Sequence, residues 1–158
     1  MPAPIRSRQL ARPPFDDVSN SRRKNMAAIR GKDTKPEMAL RVILHAAGYR
    51  YVLHAKHLPG RPDIVFPARR KVIEVRGCFF HRHGCANSAL PKTRALWWAA
   101  KLDGNVARDL RNVEALHKAG WEVLIVWECE IWTDVEAVAL RASDFLGPPG
   151  RGCMDRKT

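Results

Sequence analysis

The sequence predicts an α/β fold: a mixed sheet flanked by helices, in the order α-β-β-β-α-β-α, with one irregular loop stapled by zinc. Three observations carry that expectation. Helical stripes of apolar residues alternate with short runs rich in β-branched residues, the pattern of a layered α/β domain. Two of those runs, "PDIVF" and "KVIEV", are separated only by the turn-like "PARR", so they form a hairpin and make part of the sheet antiparallel. The segment from Gly77 to about Lys92 fits neither period, yet it concentrates cysteine and histidine.

Each element follows in chain order. Residues 1 to 20, rich in Pro, Arg and Ser, read as a flexible basic arm, residues 21 to 146 as one domain, and residues 147 to 158 as a disordered tail holding Cys153. "SRRKNMAAIRGK" is basic and could form a short helix that orders on a partner, with Arg23 and Lys24 facing phosphate. In "DTKPEMALRVILHAAGY", Asp33 and Thr34 are cap candidates and Pro36 falls in the first turn, where its missing N–H costs nothing. Leu40, Ile43, Leu44 and Ala47 make the helical stripe, and Gly48 stops it. "YRYVL" alternates as a strand. Helix resumes over "TRALWWAAKLDGNVARDLRNVEALHKAG", with a break or bend expected near Asp103–Gly104 and a buried stripe of Val106, Leu110, Val113 and Leu116. "WEVLIVW" is apolar throughout, as a strand covered on both faces would be. "TDVEAVALRA" closes the domain, with a capping box from Thr133 to Glu136.

A chain of 158 residues carrying a net charge of +12 favours a polyanionic partner, and nucleic acid is the commonest. No apolar run is long enough for a membrane span and the N-terminus lacks a secretory core, so a cytoplasmic location is expected, without a membrane partner. Cysteines in such a protein read as metal ligands before disulfides.

Cys78, His83 and Cys85 stand in a C-x4-H-x-C spacing, and Cys129 follows a buried strand that can return it to the same loop. Together they would make a closed Cys3His zinc site. His81, between the two loop cysteines, is either an alternative ligand or free for proton transfer. "RPD" at 61 to 63 and "IEVR" at 73 to 76 put Asp63 and Glu74 on paired strands, with Glu74 and Arg76 on one face. Paired carboxylates beside a basic group can hold Mg2+ against a phosphate. Glu37 is either a favourable helix-start charge or a further carboxylate of that pocket. Phe79 and Phe80 are adjacent on a loop, where one could be buried and the other exposed, or both could wedge between bases. Trp97 and Trp98 are expected in the core, and His45, His54, His57 and His117 on the surface without a role.

Five blocks, "NMAAIRGKDTKPE", "LPGRPDIVFP", "GCFFHRHGC", "NVARDLRNVEAL" and "GWEVLIVWEC", resemble the very-short-patch-repair (Vsr) mismatch endonucleases of the PD-(D/E)XK nuclease superfamily. The likeness runs from about Ser21 to Trp132 in the same order. It implies a restriction-endonuclease-like core and a bacterial, nucleoid-associated, monomeric enzyme that nicks DNA 5′ to the thymine of a T:G mismatch with Mg2+, with mismatch-repair proteins as further candidate partners. By the resemblance, Asp63 and the Val75 main-chain carbonyl hold Mg2+, His81 is the catalytic histidine and Glu37 the helix carboxylate. Cys78, His83, Cys85 and Cys129 match the zinc ligands, Phe79 and Phe80 the intercalating aromatic pair, and Met26 a wedge from the other groove. Three positions depart from the family pattern. Phe80 replaces Trp, Arg76 replaces His, and Glu74 replaces an apolar residue and recreates the carboxylate of the superfamily's E-x-K pattern. Two other readings are a same-fold nuclease or nickase acting on matched DNA, and a zinc-stapled DNA-binding module without catalysis.

Overall fold

The computed structural model describes residues 19–150. Its elements are α1 (Asn20–Ala27), α2 (Lys35–Ala46), β1 (Val52–Leu53), β2 (Ile64–Phe66), β3 (Lys71–Arg76), α3 (Ala95–Lys118), β4 (Glu122–Trp127) and α4 (Glu128–Leu146). The strands lie in the order β1-β2-β3-β4. β1 and β2, and β2 and β3, pair antiparallel, whereas β3 and β4 run parallel with Glu74 opposite Ile125 and Arg76 opposite Trp127. The sheet is therefore mixed.

Side-chain alternation divides the apolar residues of the hairpin between two layers. Ile64, Phe66 and Ile73 join Leu40 and Leu44 of α2, Val126 of β4 and Val138 and Ala142 of α4 in the larger core. Val65 and Val72 point the other way, against Leu116 of α3 and Trp121. β4 lies at the sheet edge, yet it feeds both layers: Leu124 and Val126 on one side, Val123 on the other. That double duty explains its continuous apolar sequence without a central position.

Helix ends follow local chemistry, with two surprises. Thr34 Oγ1 accepts from the Glu37 N–H at 3.4 Å and Pro36 occupies the first turn of α2. α3 is continuous through Asp103 and Gly104, so the expected break is absent. A single glycine costs a helix about 1 kcal/mol relative to alanine, too little to interrupt 24 residues packed on the sheet. Its buried face carries Leu102, Asp109 and Leu116, and Leu110, expected inside, is 67% exposed. In α4 the backbone departs from helical geometry at Asp134, whose Oδ1 accepts from the Ala137 N–H at 3.0 Å. Thr133 instead donates to the Cys129 carbonyl at 2.7 Å, so Asp134 takes the capping role expected of Thr133.

The stretch after α4 is held at its start. Arg69 donates to the carbonyls of Leu146 and Pro148 at 2.7 and 2.6 Å, and Tyr49 donates to that of Gly147 at 2.6 Å. Residues 146 to 148 are thus held where the chain leaves the helix, and residues 151 to 158 of the expected tail lie outside the described residues. The arm through residue 18 and Cys153 lie outside the described residues. Among those described, no helix is long and apolar enough to cross a membrane.

Leu44 is fully buried between α2 and the sheet. Leu44→Ala should lower unfolding stability by about 2 to 5 kcal/mol in urea denaturation, with an unchanged slope. A loss below about 1 kcal/mol would mean that this layer is not close-packed.

Candidate active site

The hairpin and α3 together build a cleft of about 620 Å³ lined by Asp63, Glu74, Val75, Arg76, His81 and Asp109, among others. Asp63 stands just before β2. Its Oδ2 accepts from the Val75 N–H of β3 at 2.8 Å, so the side chain continues the β2–β3 ladder where the backbone of β2 ends. Its carbonyl accepts from the His54 N–H at 3.1 Å, and its Oδ1 lies 3.8 Å from His54 Nδ1.

Glu37 of α2 lies behind the cleft wall, against His54, which lines the cleft. It is 2% exposed, accepts from Arg41 at 3.1 Å and faces His54 Nε2 at 3.3 Å. Asp33 completes the group, 2.7 Å from Arg41 and 3.4 Å from His54 Nε2. Burial raises the Asp63 pKa, the Val75 N–H opposes it, and the charges of Glu37 and Glu74 add to the rise, leaving the carboxyl at about 7. A half-buried carboxylate beside two others is a site that a divalent cation would relieve, so these residues fit a metal.

Glu74 and Arg76 share the cleft face of β3. Both Nε and Nη2 of Arg76 donate to Glu74 Oε2, at 3.0 and 2.5 Å. His81 comes from the irregular loop, and its Nδ1 lies 2.5 Å from Asp109 Oδ2 on the buried face of α3. That contact fixes the ring and leaves Nε2 for the cleft. At the rim, Gly60 has φ +74°, and a Cβ there would stand 2.9 Å from Asn112 Nδ2. Glycine is needed on both counts.

His83, not His81, joins the cysteines. The ligand atoms of Cys78, His83, Cys85 and Cys129 all lie within 4.8 Å of one another, with His83 Nδ1 3.7 Å from Cys78 Sγ and 3.3 Å from Cys129 Sγ. Burial and the neighbouring thiols push the Cys78 thiol up to about 12, a cost that a bound cation would remove by taking the thiolate. His83 stacks on Trp127 with ring centres 4.2 Å apart, which holds its ring. Four soft or borderline donors at this spacing fit a closed tetrahedral ion, and Cys129 would tie the loop to the first turn of α4.

A wider groove of about 1200 Å³ adjoins the cleft and shares Gly31, Val75, His81 and Arg108 with it. Met26, Ile29, Phe79, Phe80, Trp97 and Trp98 are among the residues that line it. The aromatic rings form an edge-to-face chain: Phe79 to Phe80 at 5.1 Å, Phe79 to Trp98 at 5.3 Å, Trp97 to Trp98 at 5.0 Å. Lys101 Nζ lies over both tryptophans. The two tryptophans are thus half-buried walls of the groove, where core positions were expected. Both tryptophans lie in the first turn of α3. Arg23 and Lys24 lie exposed on α1.

A family model described as DNA mismatch endonuclease Vsr matches residues 16–87. The type II nicking enzyme V.XorIIP of Xanthomonas oryzae pv. oryzae (strain KACC10331 / KXO85) is 48% identical over 134 residues, which span 84% of this chain and 98% of that protein. The chain belongs to the Vsr family. The DNA mismatch endonuclease Vsr of Escherichia coli (strain K12) is 43% identical over 111 residues, 70% of this chain and 71% of that one. The type II nicking enzyme V.NaeI of Lentzea aerocolonigenes is 40% identical over 131 residues, 78% and 76% of the two chains. This Vsr-type protein is accordingly a DNA endonuclease, which sets aside the reading of a binding module without catalysis. Family membership implies the PD-(D/E)XK nuclease fold, and the mixed sheet with flanking helices is consistent with it.

Two residues of the Vsr-type cleft escaped the sequence reading. His54 was expected on the surface without a role, yet it stands among three carboxylates. Asp109 left one usable signal: a carboxylate seven residues from both Leu102 and Leu116, on the face that the helix buries.

The raised Asp63 pKa has a stability consequence. Between the ordinary value of 3.8 and about 7 the folded state binds the proton more tightly, so stability falls as pH rises through that window and is flat above it. Asp63→Asn keeps an acceptor for the Val75 N–H and cannot ionise. With zinc present and no other divalent cation, urea denaturation should show the variant gaining on the parent from pH 4 to pH 7.5, by at most about 4 kcal/mol. A pH-independent difference would contradict this.

Proposed function

We propose that this Vsr-family endonuclease nicks one strand of duplex DNA 5′ to the thymine of a T:G mismatch, in very short patch repair of deaminated 5-methylcytosine. One observation carries the reading: the carboxylate cleft and the aromatic groove are continuous, meeting at Val75 and His81. A strand whose stacking is opened by the groove would present its phosphate to the cleft. The relatives, a mismatch endonuclease and two nicking enzymes, agree with this chemistry.

Asp63 and the Val75 carbonyl would hold Mg2+. When bound, Mg2+ polarises the scissile phosphate and lowers the pKa of an attacking water. His81 exchanges a proton at Nε2 with the water or the leaving oxygen, and Asp109 keeps Nδ1 engaged so that the ring presents that atom. Arg76 offers its guanidinium to the charge that develops on the phosphate, and Glu74 holds it at the cleft floor. Glu37, with Arg41 and His54, sets the field around Asp63.

Phe79, Phe80 and Met26 would wedge into the base stack, at about a few kcal/mol per unstacked step. A faulty pair is the cheapest to open, which turns deformability into mismatch selectivity. Arg23 and Lys24 contribute phosphate contacts that carry no sequence information. Cys78, His83, Cys85 and Cys129 would hold zinc with all four protein ligands, and the ion would then rigidify the loop that carries both His81 and the wedge.

The test is Mg2+-dependent nicking of labelled duplexes that differ only in a T:G or a T:A pair. Nicking should be confined to T:G, on the 5′ side of the thymine. His81→Ala should slow it by about 10²- to 10⁴-fold, and Asp63→Ala should abolish it with DNA binding retained. Equal cutting of T:A would leave the nuclease and remove mismatch recognition. Equal nicking by Asp63→Ala would remove the assignment of the metal carboxylate.

A further inference from the structure

We propose that His54 is a direct ligand, through Nδ1, of the divalent cation held at Asp63, and that it biases the site toward Mn2+ over Mg2+. The inference rests on the reading of Asp63 as the metal-holding carboxylate and deepens it. Three features of the structure lead to it.

The first is the orientation of the imidazole. Nε2 faces two carboxylate oxygens, Glu37 Oε1 at 3.3 Å and Asp33 Oδ1 at 3.4 Å. Carboxylates only accept, so Nε2 carries the hydrogen. A histidine that donates one ring N–H to a carboxylate presents the other nitrogen as a lone pair, the arrangement that supports imidazole ligation of metals. Arg41 holds the same two carboxylates from the far side, at 2.7 and 3.1 Å, which keeps them in place as acceptors.

The second is where the remaining nitrogen points. Nδ1 lies 3.8 Å from Asp63 Oδ1. That is too long for a hydrogen bond, and in the neutral tautomer with its hydrogen on Nε2 the ring presents the Nδ1 lone pair toward Oδ1. Two atoms that ligate one small divalent ion at about 2.1 Å each lie about 3.0 to 4.2 Å apart. The observed gap falls inside that range, and Oδ2, on the other side of the carboxylate, is taken by the Val75 N–H.

The third is the backbone. His54 has φ +49°, a conformation uncommon for a residue with a side chain, and its N–H donates to the Asp63 carbonyl at 3.1 Å. The two residues are tied main chain to main chain, so their side chains enter the cleft from fixed, adjacent origins.

A ligand set of one carboxylate, one carbonyl and one imidazole is less hard than an all-oxygen set. Mg2+ prefers oxygen, whereas first-row ions from Mn2+ onward accept imidazole nitrogen. On zinc-loaded protein, pulsed EPR of bound Mn2+ should show hyperfine coupling to a directly bound nitrogen. Calorimetry should give Mn2+ at least about tenfold tighter than Mg2+. His54→Gln, which keeps an amide donor for Glu37, should lose the nitrogen coupling and at least about tenfold in Mn2+ affinity, with less change for Mg2+. Absence of nitrogen coupling in the unmodified protein overturns the proposal without recourse to any variant. Equal loss of both metals in His54→Gln also overturns it, reducing His54 to a positioning residue. Asp63→Asn separates the two levels. If it leaves Mn2+ binding intact, the Asp63 reading fails; if it abolishes binding that His54→Gln leaves unchanged, the His54 assignment alone fails.

Discussion

One hydrogen bond, from the Val75 N–H to Asp63 Oδ2, joins what the fold requires to what the chemistry requires. β2 is three residues long, and a strand that ended there without substitution would leave the next N–H of β3 unpaired at the edge of the cleft. The Asp63 carboxylate supplies the acceptor. In doing so it is carried out of water and fixed beside Glu37 and Glu74, with its other oxygen toward His54. A group chosen to finish a ladder is thereby left short of positive charge, which is the property a cation site needs.

The surroundings show how that shortage is contained. A chain with a net charge of +12 has cations to spare, yet the cleft pairs them selectively. Arg41 serves Asp33 and Glu37, and Arg76 serves Glu74. Asp63 receives a backbone N–H and a distant imidazole, with no arginine or lysine against it among the described residues. Of the carboxylates that line the cleft, Glu74 is paired with Arg76 and Asp109 with His81, whereas Asp63 has no such close side-chain partner among the described residues. The same economy of scaffold holds for the loop after β3. Cys78, His83 and Cys85 gather toward Cys129, while Phe79, Phe80 and His81 between them are turned outward to the groove and the cleft. A ten-residue stretch without regular structure can hold such alternating directions only if it is fastened at more than one point.

Much of the fold was legible because its signals are local. The cap at Thr34, the hairpin around "PARR" and the two layers of apolar residues follow from spacing alone. Local signals also misled where tertiary packing outweighed them. Gly104 did not break α3, and Leu110 lost its place inside because the buried face of that helix runs through Asp109. At the site, Asp63, Glu74, Arg76 and the cysteine–histidine cluster announced themselves by residue type and spacing. His54 and the two tryptophans did not. His54 matters because α2, 17 residues upstream at Glu37, folds back against it, and the tryptophans matter because α1 leaves a groove open before them. Neither approach is written in a short window of sequence.

The most direct check is on the ionisation of Asp63 itself, followed by carboxyl carbon NMR across pH with and without Mg2+ on zinc-loaded protein. Without Mg2+ the carboxyl should titrate near 7, and with saturating Mg2+ it should stay ionised down to well below its ordinary value of 3.8. A carboxyl that titrates near 3.8 and ignores Mg2+ would contradict the view that burial primes Asp63 for a cation.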